Sequence, residues 1–169
     1  MSILVVSKNF GRLSLYCMVR IMTYRGPKLM PIEEQNLPKN ACCYFLECKN
    51  YQALTHQNGR KYTYVTTSAR CDDTLGPGWF RFQEHTGKKM PTSCVPINRC
   101  NTHAPGWLNG AHPTVSDGKV TRQVCFHFNN NCCRWSINIQ VRNCGDFFVY
   151  YFNGTPAQHP CYLRYCSSD

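Results

Sequence analysis

Ten of the chain's 13 cysteines fall between residues 48 and 166: Cys48, Cys71, Cys94, Cys100, Cys125, Cys132, Cys133, Cys144, Cys161 and Cys166. Thiols at this density have two chemistries open to them. They pair as disulfides in an oxidising compartment, or they hold a metal ion. Structural zinc sites are announced by Cys-x2-4-Cys pairs, because two ligands on one tight turn share a tetrahedral ion. The close spacings here are Cys94-x5-Cys100, Cys125-x6-Cys132 and Cys161-x4-Cys166, and no Cys-x2-Cys occurs. His127 lies near Cys125, Cys132 and Cys133 and offers the one local ligand set. The spread of the other thiols suits bridges between distant segments. The expectation is disulfides, with no metal and no cofactor.

The other groups able to do chemistry are few. His127, two residues from Cys125, has the spacing of a thiol–imidazole pair, but a cysteine committed to a disulfide has no thiolate to offer. Asp72-Asp73 opens a turn, where neighbouring carboxylates cap or solvate more often than they act as an acid/base pair. His103 and His112 sit in a Pro/Gly-rich stretch and read as hydrogen-bonding loop residues. No catalytic residue is assigned, and the chain is not expected to be an enzyme. Asn153-Gly154-Thr155 is an N-glycosylation sequon followed by Pro156. Of the three tryptophans, Trp135 reads as core, with the 147–152 aromatics beside it. Trp107 is the better candidate for a surface role, and Trp79 starts a short strand.

Bulk properties narrow the partners. The net charge is +10, of which residues 1–70 carry +7 and residues 71–169 only +3. The cysteine-rich body has no Lys/Arg run of the kind that neutralises successive phosphates, so nucleic acid is not expected. The basic N-terminal segment keeps open an alternative role, as a cationic binder of sulfated glycans, anionic membrane or nucleic acid. No apolar window is long enough to span a membrane. The ILVV near Met1 is too short for the core of a signal peptide and is followed by Lys8, Arg12 and Arg20, which reads as a fragment or a misassigned start. Residues 1–40, punctuated by Pro27, Pro31 and Pro38, read as a poorly organised basic tail or linker. Residues 41–169 read as one disulfide-rich domain.

The elements that would position these residues are mostly strands. KNYQALTH at 49–56 suggests one or two helical turns. GRKYTYVTTSAR alternates like a strand, and Trp79–Phe82 is a short strand after the Leu75-Gly76-Pro77-Gly78 turn. Residues 99–118 read as a long loop. Lys119–Phe128 and Arg134–Arg142 are the clearest strands: Val120, Val124, Phe126 and Phe128 share one face, as do Trp135, Ile137, Ile139 and Val141. Asp146–Phe152 and Cys161–Tyr165 follow. A hairpin centred on Asn129 sets Cys125 opposite Cys133 but Val124 opposite Arg134, so the apolar faces fall out of step. A one-residue bulge at Cys132-Cys133 would restore both. The fold class expected is mainly β: a small antiparallel sheet with long irregular loops, at most one short helix, and about five disulfides.

Read in order, CDDTLGPGWFRF, MPTSCVPINRCNTHAPGWLNGAHP, VCFHF, CCRWSINIQVRNC, FFVYYF and CYLRYC resemble the extracellular eight-cysteine domain found in uromodulin-like animal surface proteins. The resemblance covers residues 48–166; with Cys48 and Cys71 it gives the ten-cysteine form. It implies the pairs Cys48–Cys144, Cys71–Cys161, Cys94–Cys132, Cys100–Cys166 and Cys125–Cys133. Cys17, Cys42 and Cys43 are left over, which again points to a longer chain or an intermolecular bond. The family loop that often carries a sequon reads Asn109-Gly110-Ala111 here, so no glycan is expected there. The resemblance further implies a non-enzymatic extracellular or cell-surface module that presents loops or glycan for adhesion. Its partners would be extracellular proteins or glycans, and its neighbours EGF-like, von Willebrand D-type or zona pellucida-type domains.

Overall fold

A computed structural model describes residues 45–55, 59–156 and 162–169. Cys17, Cys42, Cys43, Cys161 and the tail at 1–40 lie outside the described residues. A four-residue helix, α1 (Leu46–Lys49), precedes seven strands: β1 (Gln52–Leu54), β2 (Gly78–Phe82), β3 (Ala104–Asn109), β4 (Lys119–Phe128), β5 (Asn131–Asn143), β6 (Phe148–Phe152) and β7 (Leu163–Tyr165). A single 3-10 turn spans Glu84–Thr86. The strands form one sheet in the order β1-β2-β6-β5-β4-β3-β7. Its four inner pairings are antiparallel, and only the outermost ones, β1 with β2 and β3 with β7, are parallel. The protein is therefore mainly β, with long irregular connections.

The β4–β5 hairpin sets the register of the whole sheet. Asn129 and Asn130 both adopt left-handed φ, 46° and 58°, between the closing pair Phe128 and Asn131. A two-residue loop with both residues at positive φ follows the right-handed twist of its strands, and asparagine tolerates that conformation. Further in, Phe126 faces Trp135, Val124 faces Ile137 and Val120 faces Val141. Between the two zones β4 supplies His127 alone, whereas β5 supplies Cys132, Cys133 and Arg134. The expected bulge thus lies at Cys132-Cys133 but takes two extra residues, not one. The loop is centred between Asn129 and Asn130, so the faces are already in step at the tip, and only an even shift keeps them so. Cys125 consequently faces Ser136 across the ladder rather than Cys133.

Three other local expectations give way. The helix precedes residue 50, and Gln52–Leu54 forms β1 alongside β2. The alternating segment 59–70 makes no strand. It is held by the isolated bridges Lys61 to Ser167 and Val65 to Arg99, so its alternation does not come from a ladder. The expected long loop at 99–118 contains β3, which hides its strand character behind Pro105 and Gly106. Gly106 is required by close approach: a Cβ there would stand 2.7 Å from the Phe126 ring and 3.0 Å from the Arg164 carbonyl.

The core lies on the face carrying Phe80, Phe82, Val124, Phe126, Val141, Tyr150, Phe152, Leu163 and Tyr165, all buried. Phe152 on β6 stacks on Tyr165 on β7, with ring centroids 3.9 Å apart. Those strands stand four places apart in the sheet. Such contact requires the sheet to curl around its aromatic core, as strand twist allows. Phe152 also meets Phe80 at 5.6 Å and Tyr150 at 5.9 Å. Phe152→Ala removes the ring common to all three contacts. It is expected to destabilise the domain by about 3–5 kcal/mol, read from the denaturant midpoint with the disulfides intact.

Candidate functional site

Four bridges tie the described part of the domain. Cys48 in α1 is bonded to Cys144 just after β5, across 96 residues, with Cα atoms 5.8 Å apart. Cys100, before β3, is bonded to Cys166 after β7, across 66 residues. The remaining two converge on the β5 bulge: Cys94 to Cys132, and Cys125 to Cys133 with Cα atoms only 4.5 Å apart. The extra residues in β5 let the adjacent Cys132 and Cys133 reach different partners. Cys71 is half-buried, and Cys161, the partner that the family resemblance implies, lies outside the described residues.

Each bridge sits in a shell that holds it. Cys100 and Cys166 are fully buried with Val95, and Trp107 packs against them. The Trp107 indole N–H donates to the Cys132 carbonyl at 2.8 Å, which pins the bulge to β3. Trp107 is therefore a half-buried anchor. Trp135 packs on Phe128, at 5.3 Å, and on the core. His127 places Nδ1 2.7 Å from the Val95 carbonyl and 3.5 Å from Cys94 Sγ. One of its ring nitrogens and the sulfurs of Cys94 and Cys132 lie within 4.8 Å of one another, a metal-like proximity. Those two sulfurs are bonded to each other, and a disulfide sulfur lacks the charge that makes thiolate a ligand. Cys125, which the sequence sets two residues from His127, is likewise committed to Cys133.

A buried ionic cluster lies behind the Cys100–Cys166 bridge, and sequence reasoning missed it. Arg60 grips Asp72 with both arms: Nη1 donates to Oδ2 at 2.6 Å and Nη2 to Oδ1 at 2.8 Å. Arg60 Nη1 also donates to the Tyr165 carbonyl, and the Tyr165 amide donates to Asp72 Oδ2. Arg164 stands 3.8 Å from Asp72 and donates to the Cys100 carbonyl. All three side chains are at most 2 % exposed. Burial, with Arg60 close by, lowers the Arg164 pKa to about 10, so the guanidinium remains charged at neutral pH. Asp72 was expected at a solvated turn, and no local spacing announced its partner twelve residues upstream. Asp72→Ala leaves two desolvated cations facing each other. Removing one partner of such a cluster costs about 3–5 kcal/mol, and thermal melting of the variant should show the loss.

His112, expected as a loop residue, is a structural acceptor. Its Nε2 lies 2.8 Å from the Tyr150 hydroxyl, which in turn accepts from the Met90 amide at 3.0 Å. Burial, then Lys89 and Arg122, lower its pKa from 6.5 to about 4. The neutral ring is thus the native form, and the unfolded chain takes up the proton first. Stability from this group is complete above about pH 6.5 and is lost as pH falls towards 4. His112→Gln should flatten that part of the stability–pH curve, measured by urea denaturation at a series of pH values.

Asn153 directly follows β6 and is exposed. The buried Thr155 and Gly154, whose amide donates to the Leu75 carbonyl, fix the turn below it. The Tyr165 hydroxyl donates to the Gly154 carbonyl at 2.6 Å. His103 Nδ1 lies 3.2 Å from Asn98 Oδ1 at an exposed loop.

A family profile described as a uromodulin-like domain, the one named for its eight cysteines, matches residues 80–167, more than half of the chain. The chain belongs to this uromodulin-like domain family. The match runs from within β2 to just past β7 and takes in three of the four described bridges. Pancreatic secretory granule membrane major glycoprotein GP2 of the dog, Canis lupus familiaris, is 44% identical over 121 residues, 71% of this chain and 23% of that protein. Uromodulin of the mouse, Mus musculus, is 43% identical over 121 residues, 71% of this chain and 18% of that protein. Human GP2 is 40% identical over 124 residues, 73% of this chain and 22% of that protein. The chain thus spans about a fifth of the length of these curated relatives.

Proposed function

We propose that this chain is a non-enzymatic extracellular module of a secreted or surface glycoprotein, which presents loops and an Asn153 glycan for adhesion and braces neighbouring domains. The observation that carries the reading is the bonded cysteine framework on a family sheet. Bridges that span 96 and 66 residues persist only where thiols are kept oxidised. A frame with bridges near both ends of the compact body suits a rigid spacer. By chain entropy the 96-residue loop alone contributes about 4–5 kcal/mol. The relatives are named as glycoprotein GP2 and uromodulin, and they are several-fold longer, which supports a role among further domains. EGF-like, von Willebrand D-type and zona pellucida-type neighbours fit that role, with extracellular proteins or glycans as partners.

The compact body is Glu47–Asp169. Within it the fifth bridge of the framework is Cys71–Cys161. The Asp72 amide donates to the Leu163 carbonyl at 3.0 Å, so the chain after Cys71 runs beside the chain after Cys161. Peptide mapping of the full chain under non-reducing conditions is expected to recover a peptide linking Cys71 to Cys161. A Cys71 thiol that alkylates in the native, unreduced protein would contradict the extracellular reading.

A further inference from the structure

The face of the sheet opposite the core has an unusual chemistry for so basic a chain. Along β5 it presents Ser136, Asn138 and Gln140, all exposed. Their register partners are Cys125, Gln123 and Thr121 on β4, and the partner of Gln140 on β6 is Tyr151. None of these carries a charge, although the chain bears +10. Three side chains are already ordered across three strands: Asn109 Nδ2 donates to Gln123 Oε1 at 2.9 Å, and Gln123 Nε2 donates to Ser136 Oγ at 3.2 Å. At one border Trp79 meets Tyr151 edge to face, at 5.6 Å and 71°.

Asn153 stands at that same border. Tyr151 is exposed, Phe152 is buried and Asn153 is exposed, so the alternation puts Asn153 on the outer face. The register that pairs Gln140 with Tyr151, carried two residues on, sets Asn153 opposite Asn138. We infer that the Asn153-linked glycan folds back over this face, with its first sugar against Tyr151 and Trp79 and the following sugars over the carboxamides of Asn138, Gln140 and Gln123. The inference rests on the glycosylation of Asn153 proposed above. A neutral sugar offers an apolar C–H face to an aromatic ring and hydroxyls at its rim. Asn and Gln carboxamides supply a donor and an acceptor to such hydroxyls. Covering the stretch from Ser136 to Gln140 leaves no charge desolvated, since the Lys119 and Arg142 pair lies beyond it. From β6 to β3 it is about 14 Å wide, and from Gln140 to Ser136 about 13 Å long, more than one sugar ring.

The test is the full chain secreted from mammalian cells, with Asn153 occupancy read by glycopeptide mass spectrometry and the occupied fraction isolated. In that fraction the ring protons of the first N-acetylglucosamine are expected to shift upfield by ring current, and to return to free-glycopeptide positions in Tyr151→Thr. The occupied protein should melt about 4 °C above Asn153→Gln. That difference should fall to about 1 °C or less in Tyr151→Thr and shrink in Gln140→Ala, a change at an exposed position that leaves the aromatic pair in place. Occupied Asn153 with free-glycopeptide resonances, or with the same melting difference in every background, overturns this inference alone. An unoccupied Asn153 overturns the glycosylation reading and this inference with it.

Discussion

The Arg60–Asp72–Arg164 cluster is the constraint on which the irregular half of this domain depends. Segment 59–75 forms no strand, yet it must lie against β7 for Cys100 to meet Cys166 and for Tyr165 to stack on Phe152. Asp72 accomplishes this as an acceptor at the centre. It takes both arms of Arg60 and the Tyr165 amide, while Arg60 also holds the Tyr165 carbonyl. The cluster thus links a loop arginine, a loop aspartate and an edge strand through groups that cannot be left unpaired in the interior. A buried pair of this kind adds little net stability compared with an apolar replacement. Its contribution is to make every other arrangement of the loop expensive.

The disulfides act on a different part of the problem. They lower the entropy of the unfolded chain, most for the 96-residue and 66-residue loops. None of the four described bridges has a cysteine in the loop between Gly59 and Leu75, so they do not choose which way it runs. The bulge at Cys132-Cys133 shows how the two devices meet. Two extra residues let neighbouring cysteines reach Cys94 and Cys125, and the Trp107 indole closes the bulge onto β3. Cross-links set the ends, and polar contacts set the path between them.

What could be read from the residues follows from where the pattern is local. The nine-residue alternation 134–142 and the run 119–128 gave β4 and β5 because each buries one face against a single core. β3 was not legible, since a strand through Pro105 and Gly106 has no alternation and is defined by Phe126 and Arg164 around it. Segment 59–70 misled in the opposite direction. Its alternating Tyr62, Tyr64 and Thr66 mimic a strand, but Tyr62 and Tyr64 are exposed and only two isolated bridges form. The cysteine spacing pointed to cross-links, but the ionic cluster had no signal, because Arg60, Asp72 and Arg164 are joined only by the tertiary fold. The outer sheet face was hidden for the same reason: its carboxamides come from three strands.

The most direct measurement is native-state hydrogen exchange at the amides of Asp72, Tyr165 and Ser167. These amides donate to the Leu163 carbonyl, to Asp72 Oδ2 and to the Arg60 carbonyl. If the cluster locks the irregular segment to β7, all three exchange only through global unfolding, with the same free energy as core amides such as Val141 and Tyr150. Exchange of these three by local opening, at free energies well below that of the core strands, would contradict the account.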